Sequence, residues 1–388
     1  MNDHPLLTLG FRPFCALAAV FAVIAMAVWL VSYTGMARLG GGLQGVFWHS
    51  HEMVFGFAVA VITGFLFTAV RNWTGLPTPT GASLGLIALV WVAGRILPAT
   101  GLEGLGVIVD LMFLPLVVVG IAVPIFRSNN TRNYKIVVLI AAIAGLHFLL
   151  HLALGEALPA WLTRSSLFAA MDIITILFAV VGGRVIPAFT RNAVPESNPV
   201  HQQWLEVSAF GLLLILAAVT LVGGGTGVGL ASWTLVLPAF LAAAAHAVRL
   251  AYWQPGMTLT NPLLWMMPVA YSWLPVALLL RGLAGLAIVP PSAWIHALTA
   301  GAFTSLMVAM MMRSTLGHTG RKLEASRADV AIFLMIQFAA LSRVLAGIVA
   351  DHRTMTIIAG VIWVIAFAGF LARYLPMLLS PRVDGKPG

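Results

Sequence analysis

Charge is what this chain has least of. Only 9% of its 388 residues are Asp, Glu, Lys or Arg, against about 25% in an ordinary soluble domain. That is too few to wet the surface of a globular protein, so the composition excludes a soluble enzyme, a disordered chain and a DNA-binding protein. Cysteine is almost absent: Cys15 stands alone. A single thiol excludes an intrachain disulfide, a Cys-ligated zinc, an iron–sulfur cluster and covalent c-type haem attachment. Any metal must therefore be held by His, carboxylate or Met. No GxGxxG, P-loop, Ser–His–Asp set or deaminase signature occurs, and no polar stretch is long enough for a soluble domain. Residues 1–388 read as one integral membrane domain.

What the chain has is apolar length. Hydrophobic residues make up 61%, and mean hydropathy is +1.00. A span needs about 20 apolar residues. Twelve such runs occur, at 11–33, 53–70, 83–100, 104–126, 134–155, 164–188, 204–224, 228–250, 262–283, 292–315, 328–350 and 355–377. They are continuously apolar rather than alternating, which excludes a β-barrel. The fold class is all-α, a polytopic bundle of about twelve transmembrane helices. The first run is too long for a signal-peptide core and lacks a small-residue cleavage site, so it is expected to be the first span. Of the 21 Lys and Arg, 15 fall on the side of the termini and even-numbered loops and 6 on the other. That bias puts both termini in the cytoplasm, and it accounts for the +9 net charge without nucleic acid. No convincing internal repeat relates residues 1–190 to 191–388, which weighs against a transporter.

Six histidines fall in or beside these runs: His49, His51, His147, His151, His246 and His296. Polar groups at membrane depth are costly and are functional candidates. His147 and His151 are four apart and share a helix face, which suits one metal ion but not opposite sides of one haem. His49 and His51 are two apart and serve different partners if the helix already includes them. Glu52 can orient an imidazole or carry a proton. At about 1.5 Å per residue, His49, His51, His147, His151 and His296 can converge at one level, with His246 the outlier. Each of these histidines can also be a packed, hydrogen-bonded group, and for His246 the two readings are equal. Asp110 and Asp172 can relay protons or pair with Arg95 and Arg184. Met307, Met310, Met311 and Met312 read as packing. Gly182 and Gly183 suit close packing or a bend near Pro187.

Several blocks resemble the NnrS family. They are Gly10-Phe11-Arg12-Pro13-Phe14, the run from Trp48 to Phe57, the run from Gly64 to Gly75, the run from Gly182 to Asn192, His296 to Thr299, and Arg313 to Arg321. Relatives often have Pro where this chain has Arg71. The resemblance implies a multi-pass protein of the bacterial inner membrane that carries haem b and copper. It implies a link to nitric oxide metabolism, nitrosative stress and denitrification. On that reading His147 and His151, with His49 or His51, would hold copper. His246 or His296 would hold haem, with Arg184 and His318 as further cofactor contacts, His318 being placed in a loop. Glu52, Asp110 and Asp172 would deliver protons. The partners would be nitric oxide, membrane lipid and an electron donor such as a quinol or a cytochrome. The function expected is nitric oxide binding and detoxification, by reduction to nitrous oxide. The alternatives are a non-enzymatic sensor or scavenger with the same metals, or a metal or small-solute transporter.

Overall fold

The computed structural model describes residues 4–37, 45–223 and 233–386. Arg38, which the charge count used, and the start of the run 228–250 lie outside the described residues. Among those described there is no strand. Twelve helices are long and apolar enough to cross a membrane: α1 Phe11–Tyr33, α2 Gly45–Thr74, α3 Gly81–Thr100, α4 Glu103–Arg127, α5 Thr131–Leu154, α6 Trp161–Ala193, α7 Gln203–Val222, α8 Trp233–Tyr252, α9 Pro262–Gly285, α10 Pro291–His318, α11 Arg327–Leu345 and α12 His352–Leu379. This is a multi-pass membrane protein, in which the start of α1 meets the end of α12 through Arg12 and the Leu378 and Ser380 carbonyls.

Local chemistry sets the ends. Asn261 accepts the Leu263 N–H ahead of Pro262, starting α9. Ser326 and Asp329 form a reciprocal capping box at the start of α11. Gly75 and Gly320 close α2 and α10 at φ of 69° and 77°, a left-handed turn that favours glycine. The expected α2 began at residue 53, but the helix starts at Gly45. Its polar first turns, which depress the local hydropathy, are the turns that carry His49 and His51.

By internal contacts the chain forms two compact units. One comprises residues 1–163, 311–322 and 367–388; the other comprises 164–310 and 323–366. In the first, α1 packs on α2, and α4 packs on α2, α3 and α5. In the second, α8 packs on α7 and α9, while α10 packs on α9 and α11.

Three spans are buried well beyond the rest. In α2, α6 and α10, 83, 83 and 72% of the most apolar window is buried, against at most 56% elsewhere. A helix buried on nearly all sides must be apolar all round, so polar groups on these spans are conspicuous. α2 and α10 also share a plan that hydropathy does not reveal. Each turns π-helical just after a histidine, at Glu52–Ala58 after His51 and at Ala297–Phe303 after His296. Each has a glycine five residues beyond that histidine, Gly56 or Gly301, against an aromatic ring, Phe21 or Trp273. Each ends in Thr-Gly, with the threonine hydroxyl bonded back four residues. π segments widen a turn and are frequent at functional sites.

Candidate metal centre

In the first unit, α2, α4 and α5 bring His51, Asp110, His147 and His151 together. One ligand atom from each lies within 4.8 Å of all the others, and the first three side chains are buried. His51 Nε2 is 3.0 Å from His147 Nε2, and each is 3.5 Å from Asp110 Oδ2. A point equidistant from these three atoms lies about 1.9 Å from each, close to the roughly 2.0–2.1 Å of a metal–imidazole bond. His151 completes the set, its Nε2 buried without a hydrogen bond. The donors are imidazole nitrogen and carboxylate oxygen, a set suited to copper or zinc.

The surroundings fix these ligands. His51 Nδ1 donates to Glu52 Oε1 at 2.9 Å, which leaves the lone pair on the Nε2 that faces the cluster. Phe55 stacks on the His147 ring at 4.1 Å. Arg95 pairs with Asp110 and also reaches Glu52 Oε2 at 3.3 Å. Two glycines make room. A Cβ on Gly56 would lie 2.7 Å from the Phe21 ring, 3.0 Å from Glu52 Oε2 and 3.2 Å from Arg95 Nη1. A Cβ on Gly94 would lie 3.0 Å from Asp110 Cα. Asp110 and His147 each sit about 10 Å from the end of their span, at the face opposite the termini.

Three of the five histidines expected at one level thus meet. His49 points away from His51, as two-residue spacing requires, and stacks on Trp29 at 4.6 Å. His296 belongs to the second unit, where its Nδ1 donates to the Ser292 carbonyl at 2.8 Å. His246, also in the second unit, is fully buried. Its Nδ1 lies 2.8 Å from the Tyr271 hydroxyl, which already accepts from Arg249 Nη1 at 2.6 Å. The phenol oxygen can donate to Nδ1 or accept from it, and His246 Nε2 is buried with no hydrogen-bond partner. Arg249 in turn holds Glu206 with two bonds of 2.7 Å, in space that Gly182 and Gly183 leave open against Tyr271 and Arg249.

Two placements differ from the sequence reading. Asp172 does not pair with Arg184, which lies about 18 Å further along the same helix. It binds Arg281 at 2.6 and 3.1 Å and accepts from Thr220 at 2.6 Å. Hydropathy gave no means of choosing between two distant arginines. His318 is not in a loop but is the last residue of α10, its ring 5.4 Å from that of Phe11. Sequence reasoning did pair Arg95 with Asp110. It missed Asp110 as a partner of the histidines, although its depth from the start of α4 was the available signal.

The arrangement is a buried, carboxylate-oriented nest of imidazoles in a membrane helix bundle. The NnrS family profile, described as NnrS protein, matches residues 5–382. The chain belongs to the NnrS family. No curated protein matches it. NnrS membership supports a nitric-oxide-related membrane protein, and the His/Asp cluster is compatible with metal binding in this NnrS chain.

Proposed function

We propose that this protein resides in the bacterial inner membrane with both termini cytoplasmic, carries copper and haem b, and binds and removes nitric oxide. The observation that carries the reading is the meeting of His51, His147, His151 and Asp110. These four residues would hold the copper. His246 or His296 would hold the haem: His246 Nε2 is buried with no hydrogen-bond partner, and the His296 ring is oriented by donation from Nδ1 to the Ser292 carbonyl. When bound, copper would supply a Lewis acid, and ferrous haem would supply an iron that takes up the diatomic ligand.

The chain's own residues do the remaining work. Glu52 holds the His51 tautomer and is the carboxylate placed to carry a proton to the cluster. Arg95 holds Asp110 by its Oδ1 and leaves Oδ2 toward the imidazoles. Asp172, occupied by Arg281 and Thr220, is an ion-pair partner rather than a relay. Nitric oxide is small and uncharged, so it enters from the lipid. Reduction of two nitric oxides to nitrous oxide and water takes two electrons and two protons, the electrons coming from a quinol or a cytochrome.

The test is metal analysis and a reduced-minus-oxidised visible spectrum of the purified protein, before and after nitric oxide, followed by nitrous oxide measurement with excess reductant. Near-stoichiometric copper and haem bands that move with nitric oxide are expected. Nitrous oxide beyond one turnover establishes reduction; none makes the protein a scavenger or sensor. Absence of both metals from metal-replete cells would overturn the reading and favour transport.

A further inference from the structure

Three arginines gather at the terminal face of the first unit and take no part in the metal centre. Arg12 lies in the first turn of α1, Arg321 just beyond α10 and Arg382 just beyond α12. Arg12 is only 1% exposed. Its Nη1 donates to the carbonyls of Leu378 at 3.0 Å and Ser380 at 2.7 Å, acceptors that α12 leaves open at its C-terminus. Its Nε is buried with no hydrogen-bond partner, and so is Nη1 of Arg321. The Arg321 backbone is fixed by the cap of α10, its N–H bonded to the Leu316 carbonyl at 2.9 Å. Arg382 Nη1 donates to the His318 carbonyl at 3.0 Å, while Nε and Nη2 grip Asp384 at 2.9 and 2.6 Å. Arg12 lies within electrostatic reach of Arg321 and Arg382, and His318 within reach of Arg12 and Arg382.

The charges do not balance. Asp384, packed against Gly320, is the one carboxylate among the described residues that contacts this group, and Arg382 already holds it. Among the described residues, three guanidinium groups face one carboxylate, and two buried N–H donors lack an acceptor. Buried donors are almost always satisfied, and a buried charge such as that of Arg12 is strongly unfavourable without a counter-charge. An acceptor-rich anion answers both deficits.

We propose that Arg12, Arg321 and Arg382, with His318 beside them, form an oxyanion site that takes a phosphate group. Guanidinium suits phosphate because its fixed fork of donors matches the oxygens. The arginines stand at the ends of three membrane spans, the level of the headgroups, and basic pockets at that level bind anionic lipids. An anionic phospholipid is one source of the phosphate; free inorganic phosphate is the other. A ligand bound there ties together the ends of α1, α10 and α12, so its binding raises the melting temperature.

The experiment uses the full-length protein, delipidated in detergent in chloride buffer. Its melting is followed by tryptophan fluorescence during titration with phosphatidylglycerol, phosphatidylcholine or inorganic phosphate. Phosphatidylglycerol is expected to raise the melting temperature and phosphatidylcholine to leave it unmoved. Arg321→Gln should weaken the apparent affinity about tenfold, the loss of one charge-assisted hydrogen bond. Arg321 is chosen because its Nη1 has no bond to lose in the free protein. Inorganic phosphate acting at millimolar concentration with the same dependence on Arg321 supports the site and assigns it to free phosphate. A response to phosphatidylglycerol alone supports it and assigns it to lipid. No response to either phosphate probe, or equal responses in wild type and Arg321→Gln, overturns it. If Arg321→Gln does not fold, the wild type decides: equal responses to phosphatidylglycerol and phosphatidylcholine, with none to phosphate, overturn the site.

Discussion

Asp110 and Asp172 are both buried in apolar helices, and each is paired with an arginine, Arg95 or Arg281. Their surroundings differ. Asp172 accepts two hydrogen bonds from Arg281 and one from the Thr220 hydroxyl, and the Arg281 guanidinium lies 4.7 Å over the Trp294 ring. Its lone pairs are occupied and its charge is matched. Asp110 shares Arg95 with Glu52 and turns its other oxygen toward two imidazole nitrogens. A satisfied polar group needs nothing further. A convergent set of imidazole nitrogens and a carboxylate oxygen held 3.0–3.5 Å apart is compatible with a bound cation. The contrast teaches that burial of a carboxylate does not mark function by itself; the acceptors left over around it do.

The contrast breaks most sharply if the satisfied pair proves dispensable. Asp172→Asn leaves Arg281 buried without its counter-charge, which costs about 3–5 kcal/mol. Thermal or detergent unfolding should show that loss, while copper per protein stays at the wild-type level. Wild-type stability would erase the distinction from one side. His147→Ala should do the reverse. Copper should fall to background, and the metal-free protein should lose no more than about 2 kcal/mol, since the ring is replaced beside other polar groups. Undiminished copper would remove His147 from the centre.

How much of this was legible beforehand follows from which forces are local. Span number came from length and apolarity, because each helix must satisfy its own backbone in lipid. The pairing of His147 with His151, the divergence of His49 from His51, and Arg95 with Asp110 followed from helical period and depth. Partners on distant spans did not. Arg281 rather than Arg184 on Asp172, and Tyr271 between His246 and Arg249, depend on which helices pack together, and apolar runs that are interchangeable by hydropathy carry no such label. The start of α2 was misplaced because the polar residues of its first turns mimic a loop. The shared π turns after His51 and His296 left too little sequence identity to stand out as a repeat.

Smaller substitutions sharpen the comparison around Asp110. Glu52→Gln keeps the shape but weakens the acceptor that fixes the His51 tautomer. Metal affinity should fall about 10–100-fold, read by competition with a chelator, with little change in the unfolding of metal-free protein. An unchanged affinity would make Glu52 a bystander. Gly56→Ala adds a methyl 2.7 Å from Phe21 and 3.0 Å from Glu52. Overpacking of this kind costs about 1–3 kcal/mol, and it should also displace Glu52, so stability and metal affinity fall together. A loss of stability with full affinity would mean that Phe21 alone gives way.

Arg382 and Asp384 provide a third pair, this one at the surface, and it shows the smallest effect. The hydrogen bond from Arg382 holds the Asp384 carboxyl below the ordinary carboxylate range. A carboxylate depressed in the folded state contributes stability that is fully present above its unfolded pKa, about 3.9. That contribution is lost as pH falls through the lower folded value. At neutral pH the pair is therefore intact, and only strong acid releases it. Solvent and salt screen an exposed pair, so Asp384→Asn should leave global melting nearly unchanged from pH 5 to 8. What it should change is local: amide exchange at Val383, whose N–H bonds to the Thr319 carbonyl at 3.1 Å, should quicken. Salt should reduce the difference between wild type and variant. An Asp384→Asn variant as unstable as Asp172→Asn would show that exposure does not separate the two pairs, and the distinction between a satisfied buried charge and a screened surface one would have to be abandoned.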